Sequence, residues 1–322
     1  MNNTVNKHSS FKSFAVRYAF IFSAVLVILV FTLINPRILS LYSLQNITLE
    51  MAPLLVMALG IGFVLYTGCI DLSIGAIASA SCVITGMFVG EVGNRMILYM
   101  LVLGAFAGLV NGVLIAKLKL PSFIVTLCTQ SVWRAVAIIL SGGGSNTIPL
   151  KQRSVVNWAS ANILHFPVAF WLSLVLLVVA VLIERNTELG KSMFVIGANE
   201  RAARLTGVHT DRVKMNTFVL CGICAALGGL MYAYKLKSSV PTIGDNLFML
   251  AISAVALGGT LFSGGRGSAL RTLIGVITVI FISSGMNMAR VDPMWKNVVF
   301  GCILILAVAI NSEKGVRDLI IK

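Results

Sequence analysis

Acidic side chains are scarce in this sequence. Asp and Glu number 11 among 322 residues, and charged residues of both signs make up 11% of the chain. A soluble domain is about a quarter charged, so a soluble globular fold is excluded. One acid, Asp71, falls where two apolar runs meet, and Glu50 falls at the edge of a run. Without a second carboxylate at depth, a proton relay is poorly provided for. That weighs against an ion-coupled secondary transporter, which stays as the alternative. Histidine is scarcer still: the 3 present, His8, His165 and His209, all lie in polar segments. No His–Ser or paired-Asp arrangement exists at membrane depth, which argues against a membrane enzyme. The 6 cysteines lie in or beside apolar runs, and the Cys221–Cys224 CxxC has no partner pair. No metal site is expected from them. Gly190-Lys191-Ser192 looks like the end of a phosphate-binding loop, but that motif needs a glycine five positions before Gly190, where Arg185 stands. No nucleotide, cofactor or metal is expected on this chain.

What the sequence has in abundance is apolar surface. Hydrophobic residues make up 58%, with a mean hydropathy of +0.95. This implies an all-α, polytopic membrane protein. The net charge of +14 would suggest nucleic acid in a soluble chain. Here the basic residues lie mostly at span ends, where positive-inside topology explains them and a nucleic-acid partner is not expected. About ten transmembrane helices are expected, near 18–34, 52–67, after 75 to about 89, 96–116, 122–140, 167–183, 216–234, 248–262, 272–288 and 297–310. The eighth and tenth are short and fit half-helices as well as full spans. A polar head at 1–17, a single permease-like domain at 18–310 and a charged tail at 311–322 complete the division. Placing the head inside puts both termini in the cytoplasm. The cytoplasmic segments then carry sixteen lysines and arginines against eight outside, with Arg134 left within a span. That bias supports the orientation.

The charged stretch 184–214 interrupts the apolar runs. Asn199 can cap a short helix from Glu200, and Gly207 can end it two turns later. The helix carries Glu200, Arg201, Ala202, Ala203, Arg204 and Leu205. Small residues let a partner approach and flanking charges set its register, so the stretch reads as a cytoplasmic docking element. The same composition would also serve a solvated linker between two membrane halves.

Several polar residues fall within or beside the spans. Asp71 either caps the third span as a solvated N-cap, with Ser73 beside it, or touches a transported solute. Thr126, Thr129, Gln130 and Arg134 share much of one helix face, with Asn111 near the end of the preceding span. Such a stripe lines a wet path or joins helices. Asn287, near the end of the ninth span, is open to the same two readings. Outside, Lys151, Arg153, Lys235 and Lys237 are either docking charges or solvated loop ends.

Four stretches together resemble the permease subunits of ribose/xylose/arabinose/galactoside-type ABC importers: GCIDLSIG at 68–75, PSFIVTLCT at 121–129, GKSMFVIGANERAARLTGV at 190–208 and VALGGTLFSGGRGS at 255–268. The resemblance covers nearly the whole chain after the head. It implies a dimer with a second permease copy or paralogue and two cytoplasmic ATP-binding subunits, which carry the ATP and Mg. It also implies a periplasmic or lipid-anchored solute-binding protein, and import of a monosaccharide or similar small polar solute. A furanone of the autoinducer type, an inositol, a nucleoside or a vitamin fits the same family. Gly197, Asn199, Glu200, Ala202, Ala203 and Gly207 match the loop that docks on the ATPase. Gly258, Gly259, Gly264, Gly265 and Gly267 match a glycine-rich turn after the eighth span, which implies gating or hinge glycines. Where the family often carries an acid entering the eighth span, this chain reads Leu247-Phe248-Met249, with Asp245 nearby.

Overall fold

The computed structural model describes residues 5–311. The first four residues of the expected head, and the expected tail beyond Asn311, lie outside the described residues. The helices are α1 (Val5–Ile34), α2 (Leu41–Tyr66), α3 (Ile74–Val92), α4 (Met96–Ala116), α5 (Ser122–Ser141), α6 (Ser154–Asn157), α7 (Val168–Asn186), α8 (Glu188–Ala198), α9 (Glu200–Leu205), α10 (Thr210–Leu236), α11 (Ile243–Leu257), α12 (Ala269–Met288) and α13 (Pro293–Asn311). The expected head is helical from Val5 onward and continuous with the first span. Among the described residues, six segments are long and apolar enough to cross a membrane: 41–66, 74–116, 122–141, 168–186, 210–236 and 269–288. The segment 74–116 is two helices in succession, parted at Gly93, where φ is +66°. The molecule is an all-helical, polytopic membrane protein.

The core forms around α2, which is buried continuously from Met51 to Tyr66. An apolar helix with no polar face has to be buried on all sides, and α10, α7, α12 and α11 surround it. The closest helix pair is α10 with α4. Gly104, Gly108 and Gly112 recur every four residues on α4, and a Cβ at any of them would strike the α10 backbone at Gly222, Phe218 or Met215. Lipid tails supply no hydrophobic drive between helices, so such pairs are held by close backbone packing.

Two boundaries differ from expectation. Helix α2 begins at Leu41, not near residue 52, because Ser40 caps it through Ser43 N at 3.3 Å. Glu50, just before the expected start, pairs with Lys235 at 2.9 Å, so its charge does not end the helix. Helix α11 runs Ile243–Leu257, where 248–262 was expected. Its 15 residues reach about 22 Å, short of the ~30 Å hydrocarbon thickness. It starts against the first turn of α3, where the Gly75 and Gly244 backbones touch. There Ser79 Oγ accepts from Gly244 N at 2.9 Å.

The segment 142–167, which joins α5 to α7, is tied down. Strand β1 (Asn146–Thr147) pairs antiparallel with β4 (Ser238–Ser239), and β2 (Asn162–Ile163) with β3 (Phe166–Pro167). Ile148, Val156 and Ala159 are buried in the main core.

Candidate functional site

Helix α9 is built as its sequence suggests. Asn199 Oδ1 accepts from Ala202 N at 3.0 Å, and Gly207 ends the turn at a φ of +87° with open space around it. Its two alanines part company: Ala203 is buried beneath the helix, and Ala202 lies outside with Arg201, Arg204 and Leu205. Of the two small residues expected to let a partner approach, only Ala202 is exposed; a six-residue helix must bury one side. Leu205, 84% exposed, is the apolar tip of the free side.

The charges on this end form one chain of ion pairs. Glu200 binds Arg204 at 2.8 Å and Lys214 at 2.7 Å. Asp211 binds Arg204 at 3.4 Å and Lys119, from the α4–α5 turn, at 2.5 Å. Partial burial pushes the Glu200 carboxyl up, but the hydrogen bonds and charges of Lys214 and Arg204 outweigh it and leave it below the usual carboxylate range. The hydrogen bond from Lys119 is the main cause that holds Asp211 low. Apart from Lys214, whose side chain is 15% exposed, the members of these pairs are substantially exposed, and exposed pairs contribute about 0–1 kcal/mol. The network orients α9 more than it stabilises the fold.

Beneath α9 lies the junction that connects it to the membrane helices. Thr187 caps α8 through Gly190 N at 3.1 Å. At the far end of α8, Gly197 sits against the Tyr66 carbonyl and the Gly264–Gly265 backbone, with no room for a Cβ. Gly265 N donates to Tyr66 O at 3.1 Å, and the Tyr66 ring stacks on Phe194 of α8 at 4.7 Å. Gly264, at a φ of +87°, also packs on Gly68, while Gly267 meets the Tyr66 ring and Gly258 packs on α12 at Arg271. Gly259 takes a φ of +77° with space around it. Glu184, buried at the end of α7, accepts from Ala269 N at 2.7 Å. A carboxylate is favoured at that helix N-terminus. The ends of α2, α7, α8, α11 and α12 thus meet at one point, directly behind α9. Three stretches far apart in sequence supply it. Glu184 and Tyr66 were not foreseen; an acid that closes an apolar run was the one signal available for Glu184.

A second cluster lies deeper. Asp71 Oδ1 accepts from Ser73 N at 2.8 Å and Ser73 Oγ at 2.6 Å. Asn111 Nδ2 donates to Ser73 Oγ at 2.8 Å. Thr126 Oγ1 donates to Ser122 O at 2.8 Å, with Ile70 O at 3.4 Å. Asp71, Ser73, Asn111 and Thr126 are all buried. The solvated N-cap is corrected: the cap position of α3 is Ser73, which makes no side-chain cap bond, and Asp71, 3% exposed, instead organises the turn before α3 by holding the Ser73 amide and hydroxyl. Asp71 Oδ2, beside the Cys221 thiol, and Asn111 Oδ1 have no hydrogen bond of normal geometry among the described residues.

The remaining residues named from sequence do not join either cluster. Thr129 and Gln130 are half-buried on α5. Asn287 is exposed at the far end of α12 and accepts from Lys296 at 2.5 Å. Lys151 is exposed, but Arg153 Nε donates to Ile148 O at 3.0 Å and Lys235 is engaged with Glu50. Lys237 closes α10 in the left-handed conformation, half-buried.

A helical membrane body with a short exposed helix seated on the junction of its span ends is the build of a transport permease. Residues 43–308 match the family described as branched-chain amino acid transport system / permease component. The chain is 31% identical over 294 residues to the ribose import permease protein RbsC of Escherichia coli (strain K12), covering 90% of this chain and 91% of that protein. It is 31% identical to the autoinducer 2 import system permease protein LsrC of Photorhabdus luminescens, covering 84% and 83%. It is 30% identical to the L-arabinose transport system permease protein AraH of Escherichia coli (strain K12), covering 87% and 85%. No solved structure matches. The chain belongs to this family, as the permease component of an ABC importer of the ribose/arabinose type. It is a multi-pass protein of the bacterial inner membrane and is not itself an enzyme; ATP hydrolysis lies on a separate subunit.

Proposed function

We propose that this chain, paired with a second copy or a paralogue, forms the membrane pathway through which an ATP-driven importer moves a monosaccharide or similar small polar solute into the cytoplasm. The observation that carries the mechanism is the seating of Gly197 on Tyr66 and the Gly264–Gly265 turn, directly behind the exposed face of α9. Two ATP-binding subunits, which hold ATP and Mg, dock on Asn199, Arg201, Ala202, Arg204, Leu205 and Gly207. Their closure displaces α9 and α8. Since no side chain cushions Gly197 against Gly264, the displacement passes directly to the ends of α2 and α11 and to the start of α12. Gly258, Gly259, Gly264, Gly265 and Gly267 make the turn that swings.

In this reading α1, α2, α3, α4, α5, α7, α10, α11, α12 and α13 are the ten membrane helices, and α9 and both termini are cytoplasmic. The opposite end, with β1 and β4, faces a periplasmic or lipid-anchored solute-binding protein, and exposed Lys151 is the residue there best placed to meet an acid on it. The binding protein holds the selectivity, so a furanone of the autoinducer type, an inositol, a nucleoside or a vitamin fits the same permease. Asp71, Ser73, Asn111 and Thr126 hold the break between α2 and α3 and act on the path through its shape.

The test is purification of the tagged chain from its native membrane in gentle detergent, followed by uptake in vesicles. An ATPase subunit and a solute-binding protein are expected to co-purify, with uptake that needs ATP and survives collapse of the ion gradients. Recovery of this chain alone, with uptake that follows an ion gradient, would establish a secondary transporter instead.

A further inference from the structure

Arg134 and Asp245 form an ion pair at 3.0 Å whose side chains are 50% and 42% exposed. Arg134 lies on α5, seven residues or about 10 Å before its end at Ser141. Asp245 lies in the first turn of α11, which starts inside the membrane body against Gly75 and Ser79. Level with that start, Ala78 packs on Gly229, itself seven residues or about 10 Å below the end of α10. The pair therefore lies about 10 Å inside the helix ends on the side of β1 and β4, which is hydrocarbon depth if those ends mark the membrane surface as in the ten-helix reading above. Three surroundings are open to it: lipid, a second protein surface, or water.

Lipid is excluded on cost, since a charge facing hydrocarbon at depth costs a few kcal/mol or more. Snorkelling does not rescue the pair. Arg134 reaches sideways to Asp245 rather than along α5 to its end, and an aspartate is too short to reach out. The polar residues beside them continue the surface: Gln130 is one turn back on α5 and half-buried, and Thr242 and Asn246 flank Asp245 and are exposed. Asp245 also lies in the first turn of α11, and the two opposite charges of the ion pair cancel.

We infer that the Arg134–Asp245 pair, with Gln130 and Asn246, faces the wet pathway between paired permeases and contacts the solute directly. The ligand class is an uncharged polyhydroxy compound. Adjacent hydroxyls each donate and accept, the guanidinium supplies a planar fork of donors and the carboxylate supplies acceptors. A mutually neutralised pair holds no ion, so it favours a neutral solute over an anion or cation. This rests on the importer reading above for the direction and energy source, though not for the wetness of the face.

The test uses the full complex in native vesicles, with the native cysteines replaced and transport first shown to persist. Arg134→Cys is expected to react with a membrane-impermeant charged thiol reagent. Separately, in the unmodified background, Arg134→Met and Asp245→Asn are each expected to raise the KM for solute roughly tenfold or more, with complex yield and ATPase activity near wild type. The exchanged variant, Arg134→Asp with Asp245→Arg, keeps the pair but reverses the fork and should keep a raised KM. Labelling by lipid-soluble maleimide alone would overturn the inference. So would disulfide formation between two copies at position 134 without labelling, or wild-type KM in the exchanged variant. Uptake that follows an ion gradient, with labelling intact, would instead fail the importer reading and leave the wet face standing.

Discussion

The two polar networks of this molecule, one around Glu200 and one around Asp71, use similar groups under opposite physics. Glu200, Arg204, Asp211, Lys119 and Lys214 pair in the open, where several bonds of modest worth hold α9 in one orientation. Screening by water makes each pair weak, so partners exchange at little cost. That suits a docking element. Asp71, Ser73 and Asn111 are bonded where water does not reach, and a donor or acceptor left alone there costs its full desolvation. That cluster is a fixed point. The comparison teaches that the exposed charged end can exchange partners at little cost while the buried break between α2 and α3 cannot, with the Tyr66–Gly197–Gly264 junction as a third, closely packed contact.

The comparison breaks if the buried cluster proves dispensable. Asp71→Ala strands the Ser73 amide and hydroxyl, and removal of a buried partner of this kind costs about 3 kcal/mol; the folded yield and Tm in detergent should fall sharply. An unchanged Tm would show that Asp71 does not hold the fold. Next in size, Gly197→Leu drives a side chain into the Tyr66 carbonyl and the Gly265 amide. Overpacking costs about 1–3 kcal/mol, and here it should separate α8 from the turn: ATPase subunits still co-purify, but hydrolysis no longer drives uptake. Retained coupling would remove Gly197 from the relay.

Smaller in stability but large in function, Glu200→Arg with Arg204→Glu should leave membrane insertion and Tm near wild type while uptake per ATP falls. Normal uptake would deny α9 its role. The smallest effect concerns pH. The folded carboxyls of Glu200 and Asp211 lie below their ordinary values, so their contribution is fully present above the unfolded values near ~4. It is lost as pH falls through the lower folded values. Tm should therefore be flat from these two groups across neutral pH and decline below about pH 4. After discount for solvent screening the loss is under about 1 kcal/mol. Asp211→Asn should flatten part of that decline, and an identical decline in the variant would detach Asp211 from it.

Much of the fold was legible because helices in a membrane declare themselves locally. The apolar runs predicted each long helix in order, and Asn199 and Gly207 marked both ends of α9, since capping depends on neighbours a few residues away. The start of α2 escaped because Glu50 looked like a boundary, and its neutralising partner Lys235 lies 185 residues on. Helix α11 was placed five residues late because hydropathy does not register the contact of Gly75 with Gly244 that sets its start. Within the candidate site, the stretches around Gly68, Gly197 and Gly264 were visible one by one, but their meeting at Tyr66 was not.

Residue type and order alone determined that this chain lives in a membrane, the order of its long helices, and that the charged stretch 184–214 interrupts the apolar runs. Those are transfer free energies and local hydrogen bonds, which each segment carries with it. Only the tertiary structure decided that Asp71 is buried, that Gly197 bears on Gly264, and that Arg134 meets Asp245 on an exposed face. Each of these depends on which backbones approach closely enough to exclude water, and that is a property of packed helices, not of any one of them.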